Sequence, residues 1–552
     1  MALLGEVLLK EGVVTEQQLN SALREQKRTK ELLGTILVRF GIVSEKALAK
    51  IMASSSDIAY MDLTQVQIDP AAVHLVDGAI ARRFTLMPMS LVNEVLHVAM
   101  DNPNDFVGID TLSRAVGLDV ECYASDRTDI LEAIELYYDI TTSLETEIDK
   151  LVAATMGGGL DLGEDAMEAP ISKLIDLFIR KGLRKLATDV HIAAEEKSVR
   201  VSYRVDGILQ SDTVLPIGLH ASFVTRTKIM SGMNIAEQRL PQEGSMTFDF
   251  LGRIVDIRTA TSPSINGENI ALRLLDKGNV ALDIASIGLS PDEQAQIRRL
   301  TLIPHGMILL AGPTGSGKTT TLYSVLKGVN ALEKNILTIE DPVEYKLPMI
   351  KQTQLNVAAG LTFQTAIRHF LRQDPDILLV GEIRDLETAQ IAFQAAMTGH
   401  LVFSTIHTNN ASATMARLRD LGIDLYYIPS TLRAVIAQRL IRRLCRSCRE
   451  KYIPDHTELA NYGLSGWEWS KEEIYRAGGC DKCNHTGYLG RIGIFEILEI
   501  TPNISMAISD NASSVMLEDI ARSNGMITLR ESGLKKVLQG STSLEEVIRV
   551  TL

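Results

Sequence analysis

Positive charge, aromatic residues and long apolar runs are all in short supply in this chain of 552 residues. Lysine and arginine number 56 against 69 aspartates and glutamates, a net charge of −13. No global positive field therefore draws nucleic acid or anionic lipid to the surface. Aromatics make up 5% of the chain, which leaves few platforms for stacking bases. No apolar run approaches the ~18–20 residues of a membrane span, and the start, Met1-Ala2-Leu3-Leu4-Gly5-Glu6, lacks the basic opening of a signal peptide. The expectation is a cytoplasmic protein whose membrane association runs through partners. Apolar content of 45% and charged content of 23% are those of globular protein, and the length suits about three or four domains.

Against that plain background one stretch stands out. Gly312-Pro313-Thr314-Gly315-Ser316-Gly317-Lys318-Thr319 fits G-x-x-x-x-G-K-[ST], the phosphate-binding loop of nucleoside-triphosphate enzymes. It follows an apolar run, Gly306–Ala311, that reads as a buried strand, and precedes Thr320–Lys327, which reads as a helix start. The glycines let backbone N–H groups turn inward on phosphate oxygens, in front of the positive end of a helix dipole. Lys318 suits the β- and γ-phosphates of ATP, and the Thr319 hydroxyl suits the Mg²⁺ shell. Gly312 through Thr320 are thus the candidate nucleotide contacts.

Cysteine is scarce but patterned. Four of the five form C-x-x-C pairs, Cys445/Cys448 and Cys480/Cys483, with 480 − 448 − 1 = 31 residues between the pairs. Two such pairs flanking a charged, Gly-containing segment read as a tetrahedral thiolate zinc site, with redox pairs as the competing reading. Cys122 stands alone and reads as a small core residue.

The N-terminal sixty residues hold a repeat. Leu4-Gly5, Leu8, Gly12-Val13-Val14, Leu19 and Leu23 recur 29 residues on as Leu33-Gly34, Leu37, Gly41-Ile42-Val43, Leu48 and Met52. Each copy predicts a short helix, a Gly stop and a second helix capped by Thr15 or Ser44. The expected organisation is an N-terminal module over 1–140, with helical repeats at 1–57 and an α/β part at 58–140 containing a strand at Val95–Met100. A flexible linker follows at 141–169. The segment 170–286 opens with an amphipathic helix from Ile171. It continues in strands, with a hairpin turn at Asp206-Gly207 and another at Gly252. A nucleotide-binding core spans 287–440, and the cysteine loop and helices occupy 441–552.

Three segments downstream of the phosphate loop complete a hydrolytic set. Asn335–Ile339 runs as a strand into Glu340-Asp341-Pro342-Val343-Glu344, and water attack on a γ-phosphate needs such a carboxylate. Asp376–Val380 is a strand of the Walker-B type whose usual terminal Asp is replaced by Gly381. Glu382 is then the group that reaches Mg²⁺, through water. Gly399–His407 is a further strand with His400 and His407 at its ends, either of them a candidate γ-phosphate sensor.

The set GPTGSGKTT, TIEDPVE, LRQDPDILLVGEIRD and GHLVFSTIHTN, with the four cysteines after it, resembles the type II secretion and type IV pilus assembly ATPases over roughly Ile171 to Leu552. The resemblance implies a hexameric ring in which a PAS-like α/β lobe precedes a RecA-like lobe and ATP lies between them. It implies Glu344 as the catalytic carboxylate, Glu382 as the Walker-B glutamate, His407 as the close of a histidine box, and Arg258 and Arg273 as arginine fingers. Arg368, Arg372 and Arg384 are further candidates for nucleotide or intersubunit contacts. An inner-membrane platform protein, and a cytoplasmic docking protein, are the implied partners at the inner membrane. The N-terminal repeat resembles the cyclic di-GMP-binding module of some of these ATPases. The arginine that usually opens that motif is replaced by Leu3 and Leu32, and the closing Gln is kept as Gln26 but replaced by Ser55. Each missing guanidinium removes charge-assisted bonds of ~1.5–3 kcal/mol, so a docking role stands beside ligand binding.

Two other classes compete. A nucleic-acid motor or binding module is suggested by the RecA-like core and the basic run Arg439, Arg442, Arg443, Arg446, Arg449, but opposed by the acidic net charge; no nucleic acid is expected. A nucleotide-gated scaffold would have no need of the carboxylates. Secretion, pilus assembly and DNA-uptake ATPases share all these motifs, and the N-terminal module with the cysteine loop favours extension or secretion over retraction.

Overall fold

Helices Leu4–Lys10 and Glu16–Thr29 form the first copy of the repeat, and Leu33–Arg39 opens the second. This computed structural model describes residues 4–551 apart from 32, 44–46, 49, 52–57, 64–65, 67, 93, 104, 139–163, 251–252, 276–282 and 465–471. The expected cap at Ser44 and the counterpart Ser55 lie outside the described residues, while Thr15 forms a full capping box with Gln18. The repeat has a packing reason. A Cβ on Gly5 would stand 3.0 Å from Leu19 Cδ1, and one on Gly34 2.9 Å from Leu48 Cδ2. In both copies a leucine fourteen places on fills the space a side chain would need.

The chain divides into two units, Met1–Tyr203 with Leu209–Asp276, and Arg204–Ile208 with Lys277–Leu552. In the first, strands β1 (Leu86–Val92), β2 (Val95–Met100) and β3 (Asp119–Ala124) form a sheet, antiparallel between β1 and β2 and parallel between β2 and β3. Cys122 lies in β3 with Sγ 3.6 Å from Met100 Sδ, and burial pushes its thiol up to about 11. Most of the expected linker, 141–163, lies outside the described residues. The helix read from Ile171 already begins at Glu164 and runs to Arg184. Its first turns lack apolar periodicity, which is why the sequence reads as linker there.

That helix and His220–Met230 pack with a six-stranded sheet of β4 (Ala187–Ala194), β5 (Ser198–Val205), β6 (Ile208–Pro216), β7 (Gln242–Phe250), β8 (Arg253–Ser264) and β9 (Gly267–Leu275). Its order is β6-β5-β4-β9-β8-β7. Asp206 and Gly207 turn β5 into β6 with φ of 49° and 85°, the left-handed pair of a type I′ hairpin. The turn read at Gly252 lies outside the described residues.

The second unit is built on a seven-stranded sheet. It contains β10 (Gly306–Ala311), β11 (Ile336–Glu340), β12 (Lys351–Gln354), β13 (Ile377–Val380), β14 (Leu401–Ile406), β15 (Leu432–Leu444) and, after a small hairpin of β16 (Glu450–Tyr452) and β17 (Ile474–Arg476), β18 (Tyr488–Glu499). The order is β12-β11-β13-β14-β10-β15-β18, parallel except for β18. The central strands β10, β11, β13 and β14 are buried on both faces, which is why they read as unbroken apolar runs. In β10, Met307, Leu309 and Ala311 enter one core while Ile308 and Leu310 enter the other. The C-terminal helices between Pro502 and Thr551 complete the first of these cores through Ile504, Leu534 and Val547.

One expected boundary changes. The core does not close at residue 440: β15 runs to Leu444 and β18 returns beside it, with Leu444 opposite Tyr488. The cysteine loop is thus an insertion between two neighbouring strands of the seven-stranded sheet. The arginines of β15 made its far half read as a separate basic segment. Among the described residues, no helix is long and apolar enough to cross a membrane.

Candidate nucleotide and metal sites

A parallel sheet delivers its loops at the carboxyl ends of its strands, and the candidate groups follow that rule. Ala311 pairs with Ile406, Val380 with Ser404, and Ile339 with Val380. The segments that follow these four strands, with the phosphate loop, the acidic turn, Glu382 and His407, therefore leave the sheet on one edge. His400 precedes β14, on the opposite edge, where its Nδ1 lies 2.9 Å from the Ala395 carbonyl. It is removed from the candidate sensors, and the direction of the strand was the signal that could have excluded it.

Gly317, at φ 87°, caps helix Lys318–Lys327. A Cβ there would lie 2.8 Å from Gln438 Nε2, and one on Gly312 would lie 2.7 Å from the Gln438 carbonyl. Pro313, Thr314 and Gly315 are exposed, Thr319 and Thr320 half-buried, and Ser316 buried with an Oγ that finds no partner. Gln438 is 2% exposed, and its Oε1 also lacks a partner, as does Arg439 Nη1. Gln438 abuts the loop and was missed by sequence reading, since more than a hundred residues separate it from the loop.

Lys318 folds back on its own loop, its Nζ donating to the carbonyls of Gly312 (2.8 Å) and Pro313 (2.9 Å). Burial pushes its pKa down to about 8, with Glu382 opposing and Arg439 assisting. Glu382 is gripped on both sides, by Arg384 Nη2 at 2.6 Å and His407 Nε2 at 3.5 Å. Burial, and then the charge of Lys318, hold His407 below the usual imidazole range. Gly381 fits its position because a Cβ would come within 3.3 Å of Glu340 Cα.

The acidic box separates into unlike members. Glu340 is buried, its carboxylate taking bonds from the Tyr323 hydroxyl, Thr338 Oγ1 (2.6 Å) and Gln352 Nε2 (3.2 Å). Buried and held by three donors, it faces the protein interior and not solvent. Asp341 is exposed and Glu344 half-buried in the turn beyond. Arg258 and Arg273 lie in the first unit, directly opposite one another on β8 and β9, and Arg273 Nε donates to Asp189 Oδ1 at 3.0 Å. Arg368 and Arg372 are exposed.

Among the described residues, Cys445, Cys448, Cys480 and Cys483 form a group whose sulfurs all lie within 4.8 Å of one another. The separations Cys445–Cys480 (3.8 Å), Cys448–Cys483 (3.7 Å) and Cys480–Cys483 (3.7 Å) match the edge of about 3.8 Å that a tetrahedron with Zn–S of ~2.3 Å requires. Cys483 Sγ accepts the N–H groups of Cys480 (3.3 Å) and Gly487 (3.2 Å). Burial opposes ionisation of Cys483, but these N–H groups bring its thiol down to about 6. The donor set fits zinc. Part of the basic run beside it has partners within the chain. Arg442 makes two bonds to buried Glu546 and stacks 3.9 Å from the Tyr488 ring, and Arg449 donates to the Gly540 carbonyl.

Comparison with known proteins brings three kinds of likeness. The family described as "Type II/IV secretion system protein" matches residues 164–549, and the MshEN domain matches residues 56–144. The chain is 37% identical to the type IV pilus assembly ATPase PilB of Myxococcus xanthus over 99% of its own length and 98% of that protein. It is 46% identical to the type II secretion system ATPase E of Vibrio cholerae over 71% of its own length and 77% of that protein. The solved structure of the Legionella pneumophila ATPase DotB covers 68% of this chain and 95% of that one, at 20% identity and a TM-score of 0.50, a likeness of fold.

Proposed function

Because this chain belongs to the type II/IV secretion system protein family and is a traffic ATPase, an ATP hydrolase, we propose that it is the motor that powers assembly of a type IV pilus or a type II secretion pseudopilus. The observation that carries the reading is the gathering of the phosphate loop, Glu382, His407 and the Glu344 turn at one edge of a parallel sheet. The end-to-end match to a pilus assembly ATPase weights it toward pili. In this reading the ring is a homohexamer, and work passes to an inner-membrane platform protein. The N-terminal module (1–140) serves docking, with cyclic di-GMP as its candidate ligand.

Lys318 and the loop N–H groups bind the triphosphate of ATP; Thr319 and, through water, Glu382 would hold Mg²⁺, which would neutralise charge on the phosphate oxygens. Glu344 orients water and receives its proton, while Arg258 and Arg273 face the γ-phosphate of a neighbouring subunit. Glu344→Gln is expected to lower kcat about 10²–10⁴-fold with ATP still bound. Wild-type turnover in that variant would remove Glu344 from the role.

Lys318 adds a pH signature. Its amine is half neutral near pH 8 in the free protein, and a bound triphosphate restores the charge. ATP binding therefore takes up a proton, approaching about one as pH rises above 8, and affinity falls in the same direction. Calorimetry in buffers of different ionisation enthalpy reads that uptake directly, and its absence would count against Lys318 as the phosphate contact.

A further inference from the structure

The turn that carries Glu344 is tied at four points by side chains from outside it. Val343 N donates to Gln354 Oε1 (3.4 Å), Glu344 N to the Tyr323 hydroxyl (3.4 Å), and Leu347 N to Gln352 Oε1 (2.6 Å). Gln352 Nε2 returns a bond to the Tyr345 carbonyl at 2.9 Å. Tyr323 is the hub. It sits fully buried in helix Lys318–Lys327, and its hydroxyl donates to Glu340 while accepting from Glu344 N. The Tyr345 ring meets it edge-on at 6.0 Å.

A buried carboxylate is an expensive way to fill a core. Apolar residues of similar volume would pack there without desolvating a charge. What the acid supplies is direction. With Glu340 accepting the phenolic proton, the Tyr323 oxygen must turn a lone pair toward the acidic turn. The same helix begins with Lys318 and Thr319, so one rigid element carries both the phosphate contacts and the anchor of the turn.

We propose that Tyr323 is a positioning residue for ATP hydrolysis, setting the Glu344 turn against the phosphate-loop helix through its bond to buried Glu340. The inference rests on the reading of Glu344 as the group that receives the proton of water. A misplacement of about 1 Å at such a group lowers turnover by as much as ~10².

The test is steady-state ATP hydrolysis by the full chain, with binding of a fluorescent ATP analogue, for Tyr323→Phe, Glu344→Gln and the double variant. Gln352→Met trims the same network from β12. Tyr323→Phe is expected to lower kcat about 10–100-fold while KM and nucleotide affinity stay within about twofold. Added to Glu344→Gln, it changes the residual rate by less than about twofold, since the group it positions is gone. Gln352→Met lowers kcat in the same sense. Wild-type kcat in Tyr323→Phe beside a defective Glu344→Gln overturns the positioning role and leaves Glu344 in place. Equal losses in both backgrounds overturn it as well, by making Tyr323 independent of Glu344. Full activity in Glu344→Gln overturns the underlying reading and the inference with it. Where Tyr323→Phe does not fold, Gln352→Met decides: a kcat loss at constant KM supports the role, and an unchanged kcat refutes it.

Discussion

Mixing two inactive variants, Arg273→Gln and Glu344→Gln, is expected to restore ATP hydrolysis that neither carries alone. Arg258 and Arg273 face each other across β8 and β9, and like charges directly opposite destabilise a sheet. Asp189, opposite Arg273 on β4, offsets part of that repulsion through its 3.0 Å bond. A guanidinium supplied to the transferring phosphoryl group is worth ~10³–10⁵ in kcat, so Arg273→Gln should fall by about that factor. Gln retains a donor for Asp189, whose side chain is only 11% exposed, so the loss reports on the phosphate and not on a stranded buried acid. In a ring with head-to-tail contacts, random mixing pairs an intact Arg273 with an intact Glu344 at about one interface in four. Recovery to about a quarter of wild-type turnover follows. A mixture as inactive as its components would place the arginine in the same subunit's site, or outside catalysis.

How much of this was legible in the sequence depends on whether a contact is local in the chain. The phosphate-loop motif is eight contiguous residues, Gly312–Thr319, so it can be read from letters and spacing alone. Four parallel strands, β10, β11, β13 and β14, were equally plain, because burial on both faces writes them as runs such as Met307–Ala311, whereas polar β12 and arginine-rich β15 were not read as strands. Orientation was the first loss. Glu340 ends β11 and two more acids follow it, and only the fold separates Glu340, turned into the core, from Glu344 in the turn beyond. His400 and His407 bracket one strand, yet the parallel direction of β14 sends them to opposite edges.

Distance along the chain was the second loss. Gln438 presses on Gly312 and Gly317 from β15, and nothing near residue 438 announces a phosphate loop. Nothing in the sequence marks Tyr323, because its partner Glu340 is known only once the fold brings β11 to that helix. The boundary at 440 failed for a related reason. In sequence Arg442 belongs to a basic run that suggests a nucleic-acid contact, but in the fold it is half-buried, bonded to Glu546 and stacked on the Tyr488 ring.

Loss of a single thiolate, in Cys480→Ser, should release bound metal and loosen the insertion without dissolving the sheet that carries it. The four sulfurs already stand at tetrahedral spacing, and two of their partners are backbone N–H groups that favour thiolate at Cys483. About one zinc per chain is therefore expected in the wild type, falling at least about tenfold in the variant. In zinc-finger peptides the metal contributes ~10–16 kcal/mol, because nothing else holds them. Here Cys445 N donates to the Gly487 carbonyl at 2.9 Å, β16 pairs with β17, and the Arg449 guanidinium lies 4.3 Å from the Tyr475 ring. Those contacts outlast the metal, so the expected loss is about 3 kcal/mol, a fall in Tm of ~6–12 °C. Limited proteolysis should cut the variant between 446 and 487, while Leu444 and Tyr488 stay paired and ATP still binds. Four thiols that titrate freely in the native wild type, with a Tm indifferent to chelator, would rule out the zinc site.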